Sequence, residues 1–112
     1  MANALATKLD AIKKLGGIRS RDIARMLNTA PETISRWNTG RAEPQPEHLT
    51  KLLALEWLLD RLSEIYEPDD ARVWLYSHQR LLNGQRPVDR IQAGRIEDVL
   101  ALISQLIDGA YV

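Results

Sequence analysis

The stretch RSRDIARMLNTAPETISRWNTG, residues 19–40, contains two short helical patterns with a tight break between them. Ile23 and Ala24 form the apolar side of the first pattern, and Ile34 and Trp37 form that of the second. Because Ala24 is small, it lets the second helix cross the first closely, while Ile34 and Trp37 hold that helix in place. The pattern therefore predicts two crossed helices with a polar outer face.

These two helices have the parts of a helix-turn-helix, whose second helix can enter the major groove of DNA. The segment resembles the Xre/Cro-type helix-turn-helix family through Ile23-Ala24, Thr33-Ile34-Ser35-Arg36-Trp37 and Gly40. The resemblance implies three base-facing and two phosphate-contacting positions, which are Pro31, Glu32 and Arg36, then Ser20 and Thr39. Arg21 and Arg41 add positive charge nearby, and Arg36 has the fork geometry that recognises guanine. The alternative interpretation is a helix-turn-helix that serves only as a packing module.

Apolar side chains recur at helical spacing in much of the remaining chain. Longer helices are predicted at residues 4–15, 47–66 and 95–107, and shorter helical segments at residues 69–76, 81–82 and 87–91. No stretch alternates with a period of two, so no β-sheet is expected. The predicted fold is all-α, with a helix-turn-helix bundle (1–45), a long connecting helix (46–66) and a small helical domain (67–112).

The centre of the long helix is apolar at nearly every position, whereas an ordinary surface helix needs a single apolar stripe. More than one surface must therefore cover it. One interpretation is that the intrachain core covers all of it. The other is a homodimer seam formed by residues at alternating spacings of three and four, namely Leu52, Leu55, Leu59, Leu62 and Tyr66.

The C-terminal half is built from turn formers, helix caps and apolar anchors, which by composition indicate a small packing or docking domain. The order of Trp74, Leu82-Asn83-Gly84, Pro87, Gly94 and a closing Gly109 resembles the toxin-binding domain of Xre/MbcA/ParS-type antitoxins. Together with the helix-turn-helix, this resemblance covers most of the chain. It implies an antitoxin of a type II toxin–antitoxin pair, whose partner is a RES-domain toxin that attacks NAD⁺.

Toxin contacts are expected along the C-terminal domain, at Trp74, Arg80, Asn83, Arg86, Pro87, Arg90, Gly109, Ala110, Tyr111 and Val112. Tyr111 offers a large apolar area with a hydroxyl, and Val112 brings a terminal carboxylate that a basic nucleotide pocket attracts. We therefore expect the last three residues to reach the toxin's active-site entrance. The alternatives are a frayed tail, a core position for Trp74 and solvated arginines.

The antitoxin is expected to block access of NAD⁺ to the toxin and to repress its own operon by binding operator DNA. The alternative function is a stand-alone Xre-type transcriptional regulator with a helical dimerisation domain. The charge distribution suits a nucleic-acid partner for the first half, because residues 1–43 carry eight basic and four acidic side chains. The remaining residues carry seven basic and eleven acidic side chains.

Several function classes are disfavoured by composition and spacing. The chain has no cysteine, which excludes disulfides and thiolate sites, and His48 and His78 lack metal-ligand spacing. There is no phosphate-binding glycine loop and no triad pattern, so we expect no enzyme activity, no metal and no cofactor. The amino-terminal sequence lacks the features of a signal peptide, and no stretch is apolar enough to span a membrane, so a cytoplasmic location is expected.

Overall fold

The computed structural model describes residues 3–109, and within that range the fold is all-α, as predicted. The seven α-helices are α1 (Ala4–Gly16), α2 (Ser20–Met26), α3 (Pro31–Thr39), α4 (Pro46–Leu62), α5 (Pro68–Leu75), α6 (Pro87–Gln92) and α7 (Ile96–Gly109). A 3₁₀ turn, Arg80–Leu82, lies between α5 and α6. No helix among these residues is long and apolar enough to cross a membrane.

Proline residues and residues with a left-handed backbone conformation mark the helix boundaries. Four helices, α3 to α6, begin with proline, whose missing N–H group is not needed in a first turn. Left-handed conformations at Gly17 and Gly40 end α1 and α3, and Asn28 takes the same conformation in the break between α2 and α3. The closing Gly109 is the last helical residue of α7 and does not take the left-handed conformation.

One continuous hydrophobic core runs through the described chain from α1 to α7. Helix α4 packs on α1 and α7, α1 also packs on α5, and α2 packs on α3 and α6. The C-terminal half thus lies against α1, α2 and α4, and the core crosses both boundaries of the predicted division. The outward side of α3 is left uncovered by the other described helices.

The predicted dimer seam on α4 is wrong for its four leucines. Their side chains, those of Leu52, Leu55, Leu59 and Leu62, are 0% exposed because the chain's own core encloses them. Tyr66 is half-buried beyond the end of α4, and its ring centroid lies 6.5 Å from that of Trp74. The helix ends at Leu62, so Tyr66 does not continue any helical stripe.

Helix α1 ends against the beginning of α5, and glycine makes this approach possible. A Cβ atom at Gly17 would lie 2.5 Å from the carbonyl oxygen of Pro68. Gly17 also has a φ of 60°, which most other residue types adopt only with strain. The position therefore requires glycine both for space and for backbone conformation.

Candidate functional site

Helix α3 presents the polar face expected of a recognition helix. Ile34 and Trp37 are buried, and Trp37 lies with its ring centroid 5.7 Å from that of His48 at the start of α4. Glu32 and Arg36 point outward and are exposed. The α3 face is therefore positioned by two core anchors and a neighbouring aromatic contact, with its charged side chains free to meet a partner.

The residues predicted to contact DNA lie on the surface of this region. Ser20 is half-buried at the first position of α2, and the other six are exposed, namely Arg21, Pro31, Glu32, Arg36, Thr39 and Arg41. Ala30 provides no side-chain cap to α3, where Pro31 occupies the first turn instead. The geometry is compatible with a DNA-contacting surface made from the starts of α2 and α3 and the loop after α3.

A buried carboxylate connects the helix-turn-helix to the C-terminal half. Asp22 of α2 is 4% exposed and accepts hydrogen bonds from the Arg19 backbone N–H (2.8 Å), from Arg72 Nη1 (2.9 Å) and from the Tyr76 hydroxyl. Burial raises the pKa of Asp22, but the hydrogen bonds outweigh it and leave the pKa below its ordinary value. We call Asp22, Arg72 and Tyr76 the Asp22 cluster.

A second group of polar contacts continues this junction. Arg25 Nη2 lies 3.0 Å from Asp89 Oδ1, and Arg86 binds both carboxylate oxygens of Asp89 at 2.7 and 3.0 Å. The hydrogen bond from Arg86 lowers the pKa of Asp89, and the same contact raises the pKa of Arg86. Arg25, Arg72 and Arg86 all lie within 6 Å of the Tyr76 ring centroid, at 5.9, 5.0 and 5.7 Å. The guanidinium of Arg86 is thus already held within the chain.

Three of the predicted toxin contacts have structural roles that contradict their assignment to a contact surface. Trp74 is 7% exposed and Pro87 is buried, because both pack in the intrachain core. Arg90 is nearly buried and donates hydrogen bonds to Asp98 (2.7 Å) and to the Leu82 carbonyl (2.8 Å). Arg90 therefore ties the 3₁₀ turn to α7 rather than facing solvent.

Two of the predicted toxin contacts lie on an exposed turn formed by residues 80–83. Arg80 and Asn83 are exposed, and Leu81 between them is 63% exposed. Sequence reasoning missed Leu81, since helical spacing alone does not tell which of two adjacent leucines faces the core. Leu82 is the buried one, and the left-handed Asn83 ends the turn.

The last of the predicted toxin contacts lie at or beyond the end of the described residues. Gly109 is exposed at the last position of α7. Ala110, Tyr111 and Val112 lie outside the described residues. Among residues 3–109 there is no cluster of three or more His, Asp or Glu side chains that could hold a metal ion.

Comparison with characterised proteins gives relatives over nearly the whole chain. The mycobacterial cidal antitoxin MbcA of Mycobacterium tuberculosis is 32% identical over 111 residues, which is 98% of this chain and 97% of the relative, and MbcA of Mycobacterium bovis matches equally. The chain belongs to the MbcA antitoxin family. A probable mycobacterial cidal antitoxin of M. tuberculosis is 36% identical over 93% of this chain and 88% of its own length. No family model matches the sequence.

The structure of this chain also matches a solved structure that contains MbcA. A chain in the crystal structure of the M. tuberculosis MbcT–MbcA toxin–antitoxin complex superposes with a TM-score of 0.82 at 32% identity. The match covers 98% of this chain and 99% of that chain. The MbcA-like fold therefore includes both the helix-turn-helix segment and the C-terminal half.

Proposed function

We propose that this antitoxin-family chain binds and inhibits a RES-domain toxin that consumes NAD⁺, as one member of a type II toxin–antitoxin pair in the cytoplasm. The observation that carries the proposal is the full-length likeness to a chain in a toxin–antitoxin complex. The chain acts as a protein inhibitor and performs no chemistry itself. Inhibition results from covering the toxin's active-site entrance, so that NAD⁺ has no access.

The exposed turn at residues 80–83 supports this assignment. Leu81 places an apolar side chain on the surface between the polar Arg80 and Asn83. An apolar anchor with a polar rim is the usual composition of a protein–protein contact. Arg90 joins the turn to α7 and holds it rigid. The turn therefore loses little conformational entropy on binding.

The C-terminal residues supply the blocking element in this proposal. The exposed Gly109 ends α7, and Ala110, Tyr111 and Val112 follow it directly. A tyrosine with a nearby carboxylate suits a pocket that holds a nucleotide. The turn then provides affinity, and the last three residues provide inhibition.

Two variants separate these roles. The chain is tagged at its amino-terminal end, so that Val112 stays free, and its stoichiometric partner is purified from the native host. Leu81→Asp is expected to weaken binding of that partner by at least about 30-fold, which is the effect of changing a hot-spot residue at the centre of an interface. Leu53→Asp is the matched control, because it makes the same change on α4, and it is expected to leave partner binding unchanged.

Deletion of Tyr111 and Val112 tests the blocking element. The partner is expected to remain bound while its consumption of NAD⁺ resumes. Full inhibition by the shortened chain would show that the last two residues do not block the active site. Recovery of no partner at all would favour a stand-alone Xre-type regulator.

We further propose that the chain represses its own operon through α3. Arg36 is exposed at the middle of the polar face, where it is free to bind a guanine edge. The DNA upstream of the chain's own gene is the probe, and Arg36→Ala is expected to lower specific affinity by about 10-fold or more. Arg95→Ala removes the same charge from the turn just before α7 and is expected to change affinity little. Equal effects of both variants would show that α3 does not read bases.

A further inference from the structure

A pocket lies where the C-terminal half meets the helix-turn-helix and α4. Its walls come from the end of α2, the middle of α4, and the turn between α6 and α7. The pocket has a volume of about 220 Å³. None of its residues belongs to the sets predicted to contact DNA or a toxin, so neither of those predicted roles accounts for it.

The floor of the pocket is the edge of the hydrophobic core. Met26, Leu27 and Ile91 line it and are 1%, 1% and 5% exposed. Ala54 and Ile96 also line the pocket and are half-buried. Water reaches little of the floor, which indicates a narrow opening that admits a flat group more readily than a bulky one. A concave site with apolar walls and few polar groups is the usual form of a small-molecule site.

The polar side chains that line the pocket lie at its mouth. Thr50, Lys51 and Glu97 are exposed, and the Thr50 hydroxyl donates a hydrogen bond to the Pro46 carbonyl at 2.9 Å. Lys51 and Glu97 make no ion pair with any residue in the described range 3–109. A ligand can therefore place an apolar body on the floor and one polar atom beside these charged groups.

The volume of the pocket limits the size of the ligand. An apolar cavity of about 150 Å³ in a protein interior is large enough to hold benzene. In proportion, a pocket of about 220 Å³ holds a ligand of about nine non-hydrogen atoms. This size corresponds to a single ring or a fused pair of rings, and it is too small for a peptide segment.

The side chain of Met26 in the floor favours an aromatic ligand, because the polarisable sulfur of methionine makes favourable contacts with aromatic rings. We propose that this pocket binds a small planar aromatic molecule of the indole or phenol type. Its ring lies against Met26, and its N–H or O–H group lies at the mouth, where the carboxylate of Glu97 accepts a hydrogen bond. The proposal goes beyond toxin inhibition and DNA binding, and the site requires neither partner.

The C-terminal end of the chain does not supply the aromatic group. Ile96 lines the pocket at the first turn of α7, and Gly109 lies about 20 Å further along that helix. The three residues Ala110, Tyr111 and Val112 span at most about 11 Å even when fully extended. The ring of Tyr111 therefore cannot reach the pocket.

Indole is the probe for the first test, which uses the full chain alone. The sequence has two methionines, Met1 and Met26, and in a chain labelled with ¹³C at the methionine methyl groups, Met26→Leu identifies the Met26 signal by its loss. That signal is expected to shift with half-saturation at about 1 mM indole or below, because a ring bound against the methyl group changes its resonance. A Met26 signal that does not move up to the solubility limit of indole would overturn the proposal.

A variant that fills the pocket tests its location. Ala54→Leu places extra side-chain volume inside the pocket and is expected to raise the dissociation constant of indole at least about 10-fold. Ala11→Leu makes the same change in a separate cleft between α1 and α4 and is expected to leave that constant unchanged. Circular dichroism shows whether each variant keeps its helix content. Equal effects of the two variants would place indole elsewhere and overturn the proposal.

Phenol and cyclohexanol test the class of ligand. The two molecules share a ring size and a hydroxyl group, but only phenol is flat and aromatic. Phenol is expected to bind at least about 3-fold more tightly, because only its ring gains the contact with the Met26 sulfur. Equal affinities would contradict the aromatic assignment. These measurements use neither DNA nor a toxin, so their outcome is independent of the proposed function.

Discussion

At the scale of single residues, Gly17 is a position where the fold tolerates little change. An added Cβ would meet the Pro68 carbonyl oxygen at 2.5 Å, and that oxygen belongs to backbone that cannot move freely. We expect Gly17→Ala to lower the free energy of unfolding by about 3 kcal/mol or more, in the range of severe single changes. Denaturation by urea gives this value.

Gly84→Ala is the matched control for this prediction. Gly84 has a similar left-handed φ of 80°, but a Cβ there would meet nothing within 4 Å. Only the backbone strain remains, so a loss of about 1–2 kcal/mol is expected. Equal losses at the two glycines would mean that α1 and α5 are not in close contact.

Asp22 gives a residue-scale prediction about pH. Its pKa is lowered in the folded chain, so its contribution to stability is fully present above the pKa of the unfolded chain, about 3.9. That contribution is lost as the pH falls through the folded pKa. Asp22→Asn is therefore expected to cost about 1.5–3 kcal/mol at pH 7 and to become less costly under acidic conditions.

Asp10→Asn is the control for the pH experiment. Asp10 makes a surface ion pair with Lys14, which contributes less than about 1 kcal/mol. Urea denaturation of both variants at pH 7 and pH 3 checks the prediction. If Asp22→Asn cost no more than Asp10→Asn at pH 7, the Asp22 cluster would not stabilise the fold.

At the scale of elements, helix α4 shows what periodicity can and cannot predict. Its existence was predictable from the length of its apolar run, and proline marks its beginning. Which face was buried was not predictable, because leucine occurs on almost every side of the helix. Helices α1 and α7 pack on α4 and determine which of its faces is buried. That face carries Leu52, Leu55, Leu59 and Leu62.

Two neighbouring leucines of α4 test this assignment. Leu52 is 0% exposed and Leu53 is 41% exposed. Leu52→Ala is expected to lower the free energy of unfolding by about 3 kcal/mol, because it leaves a cavity in the core. Leu53→Ala is expected to cost less than about 1 kcal/mol when measured at low protein concentration. The reverse order would mean that α4 is rotated about its axis.

The short C-terminal elements show a different limit of sequence reasoning. Their boundaries were predictable because proline and glycine punctuate them, as at Pro87 and Gly94. The role of Arg90 was not predictable, because its ion pair joins separate elements and leaves no signal in spacing, whereas the spacing of three residues between Arg86 and Asp89 could have indicated their local pair. Arg86 and Arg90 were expected on a contact surface, yet they bind Asp89 and Asp98 within the chain.

At the scale of the whole molecule, the two halves are joined by both apolar and polar contacts. The core is continuous from α1 to α7, and the Asp22 cluster links α2 to α5. Asn28 of the helix-turn-helix donates a hydrogen bond to the Gln92 carbonyl at 2.7 Å. The α3 face and the turn at residues 80–83 are thus held in a defined relation to each other.

The all-α class and the antitoxin family were predictable at this scale, because the order of motifs extends over most of the chain. The junction between the halves was not, since nothing in the local sequence around Asp22 indicates that this carboxylate is buried. Its burial depends on Arg72 and Tyr76, which lie 50 and 54 residues further along the chain. Long-range partners of this kind become visible only in the folded structure.

The most direct test of the proposed function is NAD⁺ consumption by the partner that co-purifies with the chain. The complex is measured intact, the partner is measured after separation, and the pure chain is then added back in increasing amounts. We expect no consumption by the complex, rapid consumption by the free partner, and complete arrest at a stoichiometric amount of the chain. A free partner that leaves NAD⁺ intact, or one whose activity the added chain does not change, would contradict the proposed inhibition.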